Sequence, residues 1–152
     1  MAERVPRSIG QVMRLDLVPG RPKMWLQSSS RSRIVLMTDQ KDWPDELDAL
    51  IAAPKHHALM FENAAVRVLD TRVPPRNTVP LHTHKWPGVL YILSWSDFVR
   101  RDASGSIVVD TRLTGPFTEG STHGSAPLPP HTLENVGESE LRVISVELKN
   151  GV

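Results

Sequence analysis

The chain has 152 residues, a length that suits a single domain with one hydrophobic core. Hydrophobic residues make up 39% and charged residues 23%, which is a globular rather than a disordered composition. The absence of cysteine excludes disulfides, thiolate metal sites, cysteine nucleophiles and iron–sulfur clusters. The net charge of +1 argues against nucleic-acid binding, and no apolar run reaches the ~18–20 residues of a membrane span. We expect a cytoplasmic protein.

Residues 1–36 differ from the rest of the chain in charge. They hold seven basic and two acidic residues, whereas residues 37–152 hold 11 basic and 15 acidic residues. The segment shows no hydrophobic period, so we predict a flexible extension before a single folded domain at residues 37–152. A targeting peptide, a segment that binds an acidic surface, and an upstream extension with the functional start at Met37 all stay open.

The first predicted element is a short helix. The run Asp42-Trp43-Pro44-Asp45-Glu46 is typical of a helix start, because aspartate caps N–H groups and proline fits the first turn. Leu47, Leu50 and Ile51 form an apolar stripe at helical spacing, and Pro54 ends the pattern. We expect this helix to pack on the edge of a sheet.

After the helix the pattern becomes that of β-strands, short and regularly spaced, with turns between them. A run with no polar residue inside it predicts a strand that is buried on both faces, as at Gly88–Leu93. This pattern predicts an all-β sandwich or small barrel with strands at Ala65–Val73, Val79–His84, Gly88–Leu93, a hairpin over Phe98–Asp110 that turns at Gly105, a short strand near Thr122, and Leu141–Leu148.

The histidines carry the strongest chemical signal. His82 and His84 are two residues apart, so in a strand they project from the same face, about 6.6 Å apart along the chain. The two imidazoles can converge on one ion if the strand curves, and a third ligand must come from another strand. His131 lies at such a strand start. Imidazole nitrogens suit divalent transition metals, and we expect Fe, Zn, Ni or Mn.

These residues resemble the two motifs of the cupin family, G-x5-H-x-H-x3–4-E-x6-G and G-x5-P-x-G-x2-H-x3-N. His82 and His84 match the first motif, and Gly120, His131 and Asn135 match the second at the correct spacing. The resemblance covers roughly residues 66–148. It implies an all-β, cupin-type double-stranded β-helix or jelly-roll barrel with a short N-terminal helix, a metal site and a homodimer.

The chain departs from the family pattern at several positions. Arg76 stands where the first motif has glycine, and Trp95 or Ser96 stands at its second glycine. The proline and glycine of the second motif are replaced by Ala126 and Leu128. Most importantly, the metal-binding carboxylate is absent, because its position falls on Gly88 or Val89.

The missing carboxylate changes the charge of the predicted site. Three neutral imidazoles leave a divalent ion at +2, so the site favours an anionic ligand. Glu147 on the last strand is our candidate replacement ligand, with His123 as a second. A barrel that has lost its metal and binds a small molecule without it is the alternative.

Further residues are candidates for a ligand pocket. Pockets are mostly apolar with a few polar anchors, and an inward arginine would hold an anion bidentately. Arg67 and Arg112 also lie in predicted strands. The pocket candidates are Trp86, Tyr91, Trp95, Asn135 and Arg72.

Two functions follow as hypotheses. The first is a metal-dependent enzyme, of oxygenase type, that acts on a small anionic organic substrate through His82, His84 and His131. The second is a non-catalytic cupin barrel that binds a small molecule without metal. The sequence leaves the reaction and the substrate open, because one fold supports many chemistries.

Overall fold

The computed structural model describes residues 43–149, and the predicted extension at residues 1–36 lies outside them. Nine antiparallel strands form two sheets. The five-stranded sheet has the order β1-β2-β9-β4-β7 and the four-stranded sheet the order β3-β8-β5-β6. The strands are β1 (His57–Glu62), β2 (Val66–Val73), β3 (Thr78–His84), β4 (Gly88–Ser94), β5 (Phe98–Asp102), β6 (Ile107–Asp110), β7 (Thr122–Ser125), β8 (Leu128–Asn135) and β9 (Leu141–Leu148).

The predicted strands are all present, and β1 is an addition to them. The strand predicted to start at His131 begins three residues earlier, at Leu128. The hairpin turns at Gly105, whose φ of +87° is a left-handed conformation that glycine adopts without strain. The strand β4 is not buried on both faces, although its sequence predicts this. Val89, Tyr91 and Leu93 are 38–42% exposed, because β4 has one face toward the interior and one face on the outside of its sheet.

The N-terminal helix is shorter than predicted and is divided in two. A 3-10 turn at Asp45–Leu47 is followed by the four-residue helix α1 (Ala49–Ala52), and a second such helix, α2 (Thr111–Thr114), follows β6. Asp48 separates the turn from α1 with an extended backbone (ψ 138°), and its side chain accepts the N–H of Leu50. Asp48 also forms an isolated β-bridge with Thr83 on the edge strand β3.

The hydrophobic core lies toward one end of the two sheets. Ala53, Val73, Val79 and Leu141 are almost fully buried and form its centre. Val79 is the second residue of β3 and Leu141 is the first of β9, whereas the histidine pair and Glu147 lie near the other ends of the same strands. The strand register therefore separates an apolar end of the interior from a histidine-rich end.

Asn135 fixes the chain at the apolar end. Its buried side chain donates to the carbonyls of Val73 (2.7 Å) and Ser139 (2.8 Å), and its Oδ1 accepts from the Ser96 hydroxyl (2.7 Å) and the Gly137 N–H (3.0 Å). Asn135 therefore satisfies backbone groups at strand ends and is not among the residues that line the cavity described below.

The substitution Asn135→Ala is expected to lower the free energy of unfolding by about 3 kcal/mol, because it removes two buried hydrogen bonds worth about 1 kcal/mol each and two partly buried ones worth about 0.5 kcal/mol each. Urea unfolding followed by circular dichroism measures this. The matched control is Asn77→Ala, because exposed Asn77 makes a single side-chain bond, to Pro75. Equal losses in the two variants would contradict the structural role of Asn135.

Candidate functional site

Four histidines meet between the two sheets. His82 and His131 are direct cross-strand partners in β3 and β8, with ring centroids 4.3 Å apart. His84 lies 5.2 Å from His82 and 6.0 Å from His131 by the same measure. His57, at the start of β1 in the other sheet, lies 4.8 Å from His82 and 5.3 Å from His84. Ligand nitrogens of His57, His82 and His84 lie within 4.8 Å of one another.

Irregular pairing in β3 brings the histidine pair together. The register between β3 and β8 shifts on both sides of His82, so that His84 pairs with Leu128. Such bulges bend a strand and re-aim its side chains, which is the curvature that convergence of His82 and His84 requires. Pro80 lies within the first irregular segment, where it has no N–H to give to the ladder.

Each of the four rings has a hydrogen-bond acceptor at Nδ1. The carbonyl oxygens of Ala53, Pro80 and Pro129 accept from His57 (3.2 Å), His82 (2.8 Å) and His131 (2.7 Å), respectively. The fourth acceptor is the Glu147 carboxylate, 2.7 Å from Nδ1 of His84. In a neutral imidazole an acceptor at Nδ1 places the single proton there, which leaves a lone pair on Nε2.

Burial keeps three of these rings neutral. Burial, followed by the neighbouring histidines, lowers the pKa of His57 to about 3 and that of His82 to about 2. Burial likewise lowers the pKa of His131 to about 3, and the charges of His84 and Arg100 act in the same direction. Neutral imidazole is the form that binds a metal ion.

The acceptor of His84 belongs to a buried ion network. Glu147 Oε2 accepts from Arg67 Nε (2.7 Å), and Arg67 Nη1 donates to Asp48 (2.9 Å). Burial disfavours the charged form of Glu147, but the bonds and charges of His84 and Arg67 outweigh it and lower the pKa of the carboxyl. The guanidinium of Arg67 also lies 4.7 Å from the centre of the Trp86 ring. Glu147 is therefore an ionised partner of His84 on the Nδ1 side.

A cavity of about 120 Å³ adjoins the histidines and is lined by both sheets. Its walls are mostly apolar and include Trp86, Ile92, Trp95 and Phe98. Arg100 and Glu147 are its charged lining residues apart from the histidines. Two buried polar atoms of lining residues, Trp95 Nε1 and Ser145 Oγ, have no hydrogen-bond partner among the residues described.

The arrangement of the strands is that of solved cupin structures. A cupin domain from Bordetella pertussis Tohama I is 19% identical over 61% of this chain and 91% of that chain, with a TM-score of 0.51. Residues 43–149 have the cupin fold. The chain also matches a protein with a double-stranded beta-helix domain from Klebsiella pneumoniae, at 15% identity over 63% of this chain and 78% of that chain, with a TM-score of 0.44. A third match is an RmlC-like cupin family protein from Methanocaldococcus jannaschii, at 12% identity over 62% of this chain and 81% of that chain, with a TM-score of 0.44.

No family model and no curated protein matches the chain. No helix among residues 43–149 is long and apolar enough to cross a membrane. The cytoplasmic location and the homodimer stay predictions.

Two motif positions support the alignment with the cupin pattern. Arg76, which replaces the first glycine, has φ +62°, a left-handed conformation that is uncommon for residues other than glycine. Gly120, the first glycine of the second motif, has φ +79°. The backbone is therefore left-handed at both of these positions where the pattern has glycine.

The structure explains why the cupin carboxylate is absent. A Cβ atom at Gly88 would lie 2.3 Å from the carbonyl oxygen of Val146, and Val89 is on the exposed face of β4. Neither position can direct a carboxylate to the histidines. Glu147 is the register partner of Gly88 on β9, and the fourth imidazole comes from His57.

The other sequence candidates divide into lining and non-lining residues. Trp86 and Trp95 line the cavity, whereas Tyr91 is 41% exposed. Arg72 is half exposed and pairs with Asp70. The remaining candidate ligand, His123, stacks on Phe117 at 3.9 Å between ring centroids and hydrogen-bonds Ser121.

Sequence reasoning missed His57 and Arg100. Residues 57–62 show no alternation, because all of β1 after His57 is exposed, so no strand was predicted there. Arg100 lies in the predicted hairpin, and its separation by two residues from Phe98 is the signal that puts both on one face. Of the three arginines chosen from the sequence, Arg67 is buried but paired, and Arg72 and Arg112 are exposed and paired. Arg112 lies in α2 and not in a strand as predicted.

The metal-free protein is expected to lose stability on acidification from pH 6.5 to 4.5. The folded pKa values of His57, His82 and His131 lie below the ordinary value of 6.5 for histidine, so the unfolded chain binds more protons in this window. Each such histidine adds a slope of up to about 1.4 kcal/mol per pH unit. Urea unfolding with a chelator measures it, and a His82→Gln variant should show a shallower slope. A flat profile in the natural chain would contradict burial of neutral imidazoles.

Proposed function

We propose that this protein is a metal-dependent enzyme whose ion is held by His57, His82, His84 and His131, with oxygenase chemistry on a small organic anion. The observation that carries the proposal is the common arrangement of the four rings. Each has an acceptor at Nδ1, which leaves Nε2 free to ligate. A second hydrogen bond of this kind accompanies most metal-binding histidines, because it fixes the tautomer and the ring orientation.

The donor set indicates which metals suit the site. An all-imidazole set favours Fe, Ni, Cu or Zn over Mg or Ca, which prefer oxygen. Four neutral ligands leave the charge of a divalent ion uncompensated, which favours binding of an anion beside it. The ion would supply Lewis-acid or redox chemistry to a substrate in the cavity.

The residues of the chain have separate tasks in this proposal. Glu147 holds the His84 ring in orientation, and Arg67 and Asp48 hold Glu147 in turn. The apolar walls, among them Trp86 and Ile92, exclude water and bind the hydrocarbon part of a ligand. Trp95 Nε1 and Ser145 Oγ offer hydrogen bonds to oxygen atoms of the ligand.

The metal content of the purified chain, measured by plasma mass spectrometry, tests the site. We expect about one transition-metal ion per chain, with at least a tenfold loss of affinity in His57→Ala and in His82→Ala. His123→Ala is the control, because this histidine lies outside the cluster. Absence of metal after reconstitution with iron, nickel, zinc and copper would refute the enzyme and favour the metal-free binding barrel.

Glu147→Gln is expected to weaken metal binding about 10–100-fold without removing a ligand, because the carboxylate that orients His84 loses its charge. Competition with a chelating dye measures the affinity. Glu134→Gln is the matched control, since Glu134 pairs with Arg101 and is not among the lining residues of the cavity. Unchanged affinity in Glu147→Gln would show that His84 keeps its orientation by other means.

A further inference from the structure

Arg100 contributes a charge that nothing in the described chain neutralises. It lies on β5, lines the cavity with Phe98, and is partly buried. Its guanidinium has no hydrogen bond or ion pair with any of residues 43–149. Burial lowers the pKa of this arginine.

The acceptors closest to Arg100 in register are already engaged. Asp102, two residues along β5, accepts from Ser104 and Ser106. Glu134 pairs with Arg101, on the opposite face of the strand from Arg100. A cation that is left unpaired at an apolar cavity costs free energy unless a ligand supplies the missing negative charge.

The position of Arg100 relates it to the histidine cluster. Arg100 pairs with Leu133 on β8, and His131 is two residues from Leu133 on the same strand. Diagonal neighbours of this kind lie about 7–8 Å apart, within the reach of a long side chain. The charge of Arg100 is among the causes that lower the pKa of His131, in agreement with this proximity.

The cavity limits the kind of anion. Its volume of about 120 Å³ is close to that of an engineered protein cavity of ~150 Å³ that holds benzene. At Arg100 itself, a single guanidinium matches one carboxylate through two parallel hydrogen bonds, whereas a phosphate dianion bound by Arg100 alone would keep one charge unpaired. Arg67, which pairs with the other charged lining residue, Glu147, is already engaged and offers no free charge to a second carboxylate.

We infer that the substrate is a small monocarboxylic acid with a compact apolar body, and that Arg100 binds its carboxylate. This inference rests on the proposed function in placing the substrate beside the four histidines. Arg100 then determines the orientation: the carboxylate lies on the β5 side, and the apolar body lies among Trp86, Ile92 and Phe98.

Binding of benzoate and of its neutral analogue benzamide to the chelator-treated full chain, measured by calorimetry, tests the inference apart from the metal. The natural chain is expected to bind benzoate at least about tenfold more tightly than benzamide. Arg100→Met should abolish this preference, and Arg100→Lys should restore part of it. Arg101→Met is the matched control and should keep the preference, because Arg101 pairs with Glu134 outside the cavity.

The melting temperature separates ligand binding from a structural role. Arg100→Met should melt no lower than the natural chain, because it removes an unpaired charge rather than a contact. Benzoate binding that survives in Arg100→Met, or no binding of any acid from acetate to benzoate by the natural chain, would overturn the inference. Arginine-dependent benzoate binding in a chain that takes up no metal would support the inference while refuting the metal enzyme.

Discussion

The structure depends on one constraint, which is the need to satisfy four imidazole N–H groups inside an apolar sandwich. A buried donor without an acceptor costs about 1–3 kcal/mol, so the interior must supply four acceptors. Backbone carbonyls supply three of them, at Ala53, Pro80 and Pro129. The fourth is a carboxylate, and a buried carboxylate needs a cation of its own.

The network behind His84 follows from that fourth acceptor. The negative charge of Glu147 is compensated by Arg67, which also pairs with Asp48. Asp48 in turn caps α1. The split of the N-terminal helix at Asp48 is thus connected to the site: an uninterrupted helix would place this residue in helical backbone, where it could not cap Leu50. Asp48 therefore contributes both to the start of α1 and, through Arg67 and Glu147, to the orientation of His84.

The sequence predicted the strands and the shared face of His82 and His84 because these signals are local: alternation defines a strand face, and two strand residues at i, i+2 share one. The choice of His131 as the third ligand rests on the resemblance to the second cupin motif and stays a prediction. The sequence did not predict His57, which packs against His82 and His84 of the other sheet from a strand whose other residues are exposed. It also did not predict that Gly88 packs against the Val146 carbonyl, a contact that only the sheet register reveals. Whether an arginine is paired is likewise a tertiary property, which is why Arg67 and Arg72 were favoured over Arg100.

The two charged groups of the cavity differ in a way that bears on its chemistry. The charge of Glu147 is compensated within the protein, so it serves to orient a ring and does not attract a ligand. The charge of Arg100 is uncompensated in the described chain, so its burial penalty is relieved only when an anion binds. Binding of an anion thereby removes the free-energy cost of burying the unpaired charge of Arg100, and a neutral molecule of the same shape cannot remove it. Selectivity for an acid therefore requires no contact beyond the ion pair between Arg100 and the carboxylate of the ligand.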